Sequence, residues 1–256
     1  MKEPSVQILS DMDSLARAAA EEIARALEAA LQERDRAAFV LTGGTTPKPV
    51  YETLAQSPYR ERIAWEKIDF FWGDERCVPP DHPESNYRMA WQALLSRLTV
   101  PEHRIHRILG ELEDTEQAAL SYEAEIRRWA AGTAIPSFDL VLLGMGEDGP
   151  TASLFPGTAW DPDRLVVAVW VPRLGRRRIS MTPRLLNAAR RVIFITAGQA
   201  KAAALAKVLE DPANDYPAGK IQPEADSVTW MVDKPAASLL ASKRMPASSH
   251  LRGEDR

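Results

Sequence analysis

A chain of 256 residues with 45% hydrophobic and 27% charged residues has an ordinary globular make-up, which excludes wholesale disorder. Its length allows one large domain or two small ones, either able to bury a core. A net charge of -4 argues against a general nucleic-acid binder, although the basic run Arg176-Arg177-Arg178 is local and is judged on its own.

The first clear element in the chain is a helix over about Asp13 to Arg34, with Leu15, Ala19, Ile23, Ala26, Leu27 and Ala30 at helical spacing. Ala37 to Thr42 reads as a short buried strand. It ends at Gly43-Gly44-Thr45-Thr46-Pro47, and Pro47 suits the first turn of the helix that carries Tyr51 and Leu54. Ile68 to Trp72 is a second strand, running into a loop at Gly73-Asp74-Glu75-Arg76, with a helix over Tyr87 to Leu98 beyond. A charged helix, Thr115 to Trp129, leads to the apolar run Phe138 to Leu143 and the glycine-rich stretch Gly144-Met145-Gly146-Glu147-Asp148-Gly149. Val166 to Val171 and Arg178 to Thr182 are further strands. Val192 to Thr196 then enters Gly198-Gln199-Ala200-Lys201 and an alanine-rich helix ending near Leu209. Val228 to Asp233 reads as a late or edge strand. Strand–loop–helix units in series predict an α/β fold, an open, largely parallel sheet flanked by helices. Residues 1–241 are expected to form a single α/β domain and residues 242–256 a polar, frayed C-terminal tail.

In such a sheet, loops at the carboxyl ends of the strands share one edge, where ligands bind. Four loops are expected there: Gly43–Pro47, Gly73–Arg76, Gly144–Pro156 and Gly198–Lys201. Together they offer backbone N–H groups, helix N-termini, hydroxyls, Arg76 and Lys201, a set suited to phosphate or another oxyanion. Each loop alone has a plainer reading, as a turn, a solvated ion-pair cluster or a surface lysine. Their convergence carries the functional one.

Gly144, Gly146 and Gly149 satisfy G-x-G-x-x-G after a strand, which raises a dinucleotide site. Glu147 and Asp148 would repel a pyrophosphate there, and Pro156 stops a helix from running far past the loop. The pattern G-x-x-x-x-G-K-[ST] is absent. Among the four histidines only His103-x-x-His106 has any pairing, read as a surface pair in a loop-like segment, and Cys77 has no partner thiol. No metal and no cofactor are therefore expected. A single cysteine fits a reducing compartment. With no signal pattern at Met1-Lys2-Glu3-Pro4 and no membrane-length apolar run, the expected address is cytoplasmic, away from membranes.

With these loops in view, the sequence resembles the 6-phosphogluconolactonase family over nearly its whole length. The resemblance rests on Leu143 to Pro156 (LGMGEDGPTASLFP) and Asp74-Glu75-Arg76-Cys77-Val78-Pro79 with Ser85-Asn86. Arg178-Ile179-Ser180-Met181-Thr182, Gly198-Gln199-Ala200-Lys201 and Trp230-Met231-Val232-Asp233 follow in order. It implies the Rossmann-like fold of sugar-phosphate isomerases and lactonases. It also implies hydrolysis of a phosphorylated sugar lactone, 6-phosphogluconolactone, in the oxidative pentose phosphate route, by a monomer or small homo-oligomer.

By the same resemblance Gly43, Gly44 and Thr45 line the sugar-phosphate pocket. Arg76 faces the phosphate with Lys201 and Arg178 in support, and Asp74, Asp148 and Ser153 belong to the pocket. The family carries a histidine as general base after the Asp-Gly pair; here that position is Pro150. Proline accepts no proton and has no N–H, whereas imidazole as general base contributes about 10²–10⁴-fold. Proline does suit the first position of a helix, so Pro150 is expected to start one and to leave the fold intact. Asp148, Glu75 and His82 are the candidate replacement bases. The alternatives are a sugar-phosphate-binding paralogue with little turnover and an amino-sugar-phosphate deaminase or isomerase on the same fold. Phe155-Pro156 and the Arg178 segment favour the lactonase branch over the latter.

Overall fold

The computed structural model describes residues 4–224 and 228–241; the expected tail, 242–256, lies outside the described residues. Strand β1 (Ser5–Leu9) precedes helix α1 (Met12–Arg34), whose first turn is capped by Asp11 accepting from the Ser14 N–H at 2.7 Å. Then come β2 (Ala37–Leu41), α2 (Pro47–Leu54), α3 (Tyr59–Arg62), β3 (Ile68–Trp72), β4 (Asp74–Arg76), α4 (Asn86–Ala93), β5 (Ile105–His106) and α5 (Thr115–Trp129). The second half holds β6 (Leu140–Gly144), β7 (Val166–Val171), β8 (Arg176–Met181), α6 (Pro183–Leu186), β9 (Val192–Thr196), α7 (Ala202–Glu210) and β10 (Thr229–Asp233).

Seven strands form one parallel sheet in the order β1-β10-β9-β6-β2-β3-β5. β2, β3 and β9 are buried along their whole length, which is why they are written as unbroken apolar runs. From β2 the chain winds outward through β3 to β5, and from β6 it winds the other way through β9 to β10. The switch point therefore lies between β2 and β6, where a crevice opens at the carboxyl edge.

Several expectations change. Val228–Asp233 is not an edge strand: β10 lies inside β1, a strand the sequence reading does not contain. Asp74–Arg76 is not a loop but β4, which leaves the parallel sheet and joins an antiparallel sheet of order β4-β8-β7. The helix expected over Tyr87–Leu98 is α4 followed by a 3₁₀ turn at Leu95–Arg97. His106 is not a surface residue. It sits on β5, stacked on Phe71 at 4.4 Å between ring centroids, with Nδ1 2.8 Å from Glu125.

Two tyrosines close strands that lead to the crevice. The Tyr51 hydroxyl accepts from the Thr42 N–H and donates to the Thr42 carbonyl, both at 2.9 Å, just past the end of β2. Tyr122 does the same for Trp72 at the end of β3, at 2.9 and 3.1 Å. Both hydroxyls are buried, and burial raises their pKa, so they remain donors. Among the described residues no helix is long and apolar enough to cross a membrane.

Tyr51→Phe and Tyr122→Phe each leave a buried N–H and C=O unpaired, so each is expected to cost about 1–3 kcal/mol of stability in denaturant unfolding. A loss below a few tenths of a kcal/mol would show that water takes over these groups. His106 supplies a pH dependence. Burial works against its charge, but Asp69 (Oδ1 at 3.6 Å) and Glu125 outweigh burial and raise its pKa to about 9. A folded pKa above the unfolded value gives stability that is full below about pH 6.5 and is lost as pH rises through about 9. His106→Phe should flatten that alkaline slope in pH-dependent melting; an unchanged slope would place the titration elsewhere.

Candidate active site

The four loops leave β2, β3, β6 and β9, which are neighbours in the order β9-β6-β2-β3, and so meet at one edge as expected. Two of them enter helices: Gly43–Thr46 leads to α2, and Gly198 leads through a 3₁₀ turn into α7. The other two do not. Gly73 passes into β4, and residues 151–154 form a tight turn closed by Thr151 N–H to the Leu154 carbonyl at 3.2 Å and its reciprocal at 2.9 Å. The helix expected at Pro150 is therefore absent; the next residues are spent on that turn instead.

The carboxylates of the Asp74-Glu75-Arg76 segment serve as braces. Asp74 accepts from the Ser153 hydroxyl at 2.5 Å and from the Asn86 side chain at 3.2 Å. The Ser153 N–H in turn donates to the Ser180 hydroxyl at 3.2 Å. Asn86 also fills the space beside Gly43, where a Cβ would lie 1.8 Å from the amide oxygen; only glycine allows β2's loop to approach α4 so closely. Glu75 is 2% exposed and accepts from the N–H groups of Arg76, Asn86 and Tyr87 and from the Ser85 hydroxyl. Burial raises its pKa, while those N–H groups pull it back. With its oxygens committed to the start of α4, Glu75 is not placed to take a proton from a water in the crevice.

The arginines are arranged differently. Arg76 on β4 lies directly opposite Arg178 on β8. Like charges placed opposite each other on antiparallel strands repel. Arg178 is only 9% exposed, and its Nη1 has no hydrogen-bond partner among the described residues. Burial and the charge of Arg76 both depress its pKa. Arg76 keeps one contact, Nη1 to the Glu84 carbonyl at 2.8 Å. The two arginines line a cleft of about 410 Å³ with Cys77, His82, Glu84 and Trp170. The carboxylates of Asp74 and Glu84 offset part of this through space, but Nη1 stays buried and unpaired beside a second guanidinium, so this cleft suits an anion.

The glycine-rich loop is a turn tied by Gly149 N–H to the Gly146 carbonyl at 3.2 Å and Gly146 N–H to the Pro150 carbonyl at 2.9 Å. It exposes Glu147 and Asp148 and buries Pro150. Lys201 reaches across from the β9 loop to 3.8 Å from Glu147. Asp148 lines a neighbouring cleft of about 520 Å³ with Phe155, Pro156 and Val171, and Trp170 borders both clefts. Gly44 and Thr45 are exposed beyond Gly43. His82 sits in the arginine cleft rather than with Asp148, and its Nδ1 accepts from the Glu84 N–H at 3.1 Å.

The sequence reading places Asp233 at the end of the last strand but gives it no role at the site. At the end of β10 both its oxygens accept from the Gly198 N–H at 3.0 Å, and one also accepts from Ala236 N–H at 2.8 Å, which fixes the β9 loop. An acidic residue closing the apolar run Trp230-Met231-Val232 was the available signal. Among the described residues no group of three His, Cys, Asp or Glu side chains is placed to hold a metal ion.

Comparisons with known proteins agree with this fold. The family model for glucosamine-6-phosphate isomerases/6-phosphogluconolactonase matches residues 10–230. A 6-phosphogluconolactonase of Synechocystis is 40% identical over 243 residues, covering 93% of this chain and 98% of that one. One from Haemophilus influenzae is 42% identical over 205 residues, covering 78% and 86%. The crystal structure of 6-phosphogluconolactonase from Thermotoga maritima superposes with a TM-score of 0.78 at 33% identity, over 90% of this chain and 99% of that one. The four-loop edge, its arginine pair and the near full-length match together place the chain in the glucosamine-6-phosphate isomerase/6-phosphogluconolactonase family.

Proposed function

We propose that the protein hydrolyses 6-phosphogluconolactone to 6-phosphogluconate. The observation that carries the reading is the buried Arg178, unpaired at Nη1 and set opposite Arg76 at the carboxyl edge of the sheet. A phosphate dianion resolves the repulsion between the two guanidiniums and satisfies the orphaned donor in one step. Lys201, 3.8 Å from Glu147, brings a further positive charge to the same edge of the sheet. Gly43, Gly44 and Thr45 offer backbone and hydroxyl donors in the loop after β2, which lies in the strand order between the strands that lead to Lys201 and to Arg76.

The chemistry is attack of water on the lactone carbonyl. A proton leaves the water as the C–O bond forms; the tetrahedral oxyanion collapses, and the ring oxygen departs as an alcohol with a proton returned to it. Pro150 accepts no proton and donates no N–H at this point of the loop. The proton acceptor we assign is Asp148, two residues earlier and exposed beside the Trp170 cleft. A carboxylate is by its chemistry a weaker general base than imidazole, so turnover rests heavily on holding the lactone and water in place. Pro150 also supports a second reading, a sugar-phosphate-binding protein with little turnover.

Arg178→Met removes a buried like charge, so ligand-free melting should stay unchanged or rise. Binding of 6-phosphogluconate, measured by calorimetry, should weaken at least about tenfold, as should that of Arg76→Ala. An unchanged Kd in both variants would remove the arginine pair from the site. Pro150→His keeps the Gly146–Pro150 backbone bond and adds an imidazole. It is expected to raise lactone hydrolysis above the spontaneous background at least about tenfold. Equal rates in the two proteins would show that Pro150 is no catalytic deficit. Wild-type hydrolysis at background with binding intact would decide for the second reading.

A further inference from the structure

The glycine-rich loop is braced from outside by a segment with no assigned role. After α7 the chain turns at Asp211, whose carboxylate accepts from Ala213 N–H at 2.9 Å and whose carbonyl accepts from Asn214 N–H at 3.1 Å. The Asn214 amide donates back to the Asp211 carbonyl at 2.7 Å and accepts from Tyr216 N–H at 3.2 Å. A 3₁₀ turn over Pro217–Lys220 follows, and there the Ala218 N–H donates to the Gly149 carbonyl at 3.2 Å.

The Tyr216 side chain packs against Gly149 beside that bond. Gly149 has φ +76, and a Cβ added to it would stand 2.2 Å from Cδ2 and 2.4 Å from Cγ of the tyrosine ring. Both the backbone conformation and the space thus demand glycine here. The ring's position is set on another side by Lys207, whose Nζ is 4.5 Å from the ring centroid. The loop's backbone is tied within itself by the Gly149–Gly146 and Gly146–Pro150 bonds and by the Thr151 hydroxyl donating to the Gly144 carbonyl at 2.9 Å, while Lys201 reaches Glu147 at its exposed tip.

We propose that Tyr216 is a positioning residue for the catalytic loop. Its ring and the Ala218–Gly149 bond hold Gly149 in its left-handed conformation, and this sets the direction of Asp148 on one side and of residue 150 on the other. The proposal rests on the lactonase reading for its kinetic consequence but not for its structural one. A displacement of about 1 Å in a reacting group costs up to about 10²-fold in rate, so loosening the brace lowers kcat. The arginine cleft is built from β4 and β8, so ligand affinity is spared.

The test is Tyr216→Ala and Tyr216→Phe, in the wild-type chain and with Pro150→His. Readouts are amide hydrogen exchange over residues 144–151 without ligand, kcat and KM for 6-phosphogluconolactone, and Kd for 6-phosphogluconate. Tyr216→Ala should speed exchange at Gly146 and Gly149 at least about tenfold, with β6 and β9 amides unchanged. It should lower kcat at least about tenfold, with KM and Kd within about twofold. Tyr216→Phe, which keeps the ring, should behave as wild type. Unchanged loop exchange in Tyr216→Ala overturns the proposal, as does faster exchange throughout β6 and β9, or a Tyr216→Phe as impaired as Tyr216→Ala. If neither parent hydrolyses the lactone, the lactonase reading fails, and the exchange data alone decide the brace.

Discussion

Two guanidinium groups face each other across the β4–β8 pair, and much of the site is arranged around keeping them there. Nothing in the folding of a short antiparallel sheet favours this; cross-strand repulsion and burial of Arg178 both oppose it. The arrangement persists because neighbouring contacts over-determine it. β8 is tied to the main sheet through Met181 N–H to the Gly73 carbonyl at 2.8 Å, and β4 is held by the bonds that Glu75 and Asp74 make to α4 and to Ser153. On the proposed reading, a phosphate dianion would relieve that repulsion.

The same frame explains how the acidic residues are shared out. Asp74 and Glu75 sit within the same three-residue strand as Arg76, yet among the described residues neither pairs directly with the side chain of Arg76 or Arg178, and Asp74 acts on Arg178 only through space. Their oxygens are drawn to backbone N–H groups and to the side chains of Ser85, Asn86 and Ser153. Asp233 is likewise spent on Gly198. Buried acids thereby fix the loops, while the positive charge in the arginine cleft is left for a ligand. Each carboxylate committed to a backbone N–H is one that would not compete with an anion in that cleft.

Much of this was legible in the sequence, and unevenly. Ile68–Trp72 and Val192–Thr196 emerged on their observed residues because fully buried parallel strands are written as continuous apolar runs. Thr115–Trp129 did so because its apolar stripe is regular. The convergence of four loops followed from the strand–loop–helix order. What stayed hidden depends on distant partners. Asp74–Arg76 is a strand only because β8, about a hundred residues later, pairs with it. Ser5–Leu9 has no strand signal strong enough to stand beside the helix that follows it. His106 looks like a surface histidine until Phe71, Asp69 and Glu125 surround it. Tyr216 carries no mark in the sequence, since its importance lies in the absent side chain at Gly149.

The pairing of β1 with β10 has a bearing on how the molecule is made. Ser5–Leu9, near the start of the described chain, finds its only neighbour in the main sheet in Thr229–Asp233. On the ribosome the first strand must wait through the synthesis of more than two hundred residues before it can dock. Until β10 is made, the last strand on this side of the sheet, β9 once it is synthesised, has an open edge, and Val6, Ile8 and Leu9 lack the strand they pair with. Formation of this side of the sheet is consequently a late, long-range closure event, the kind that slows folding most.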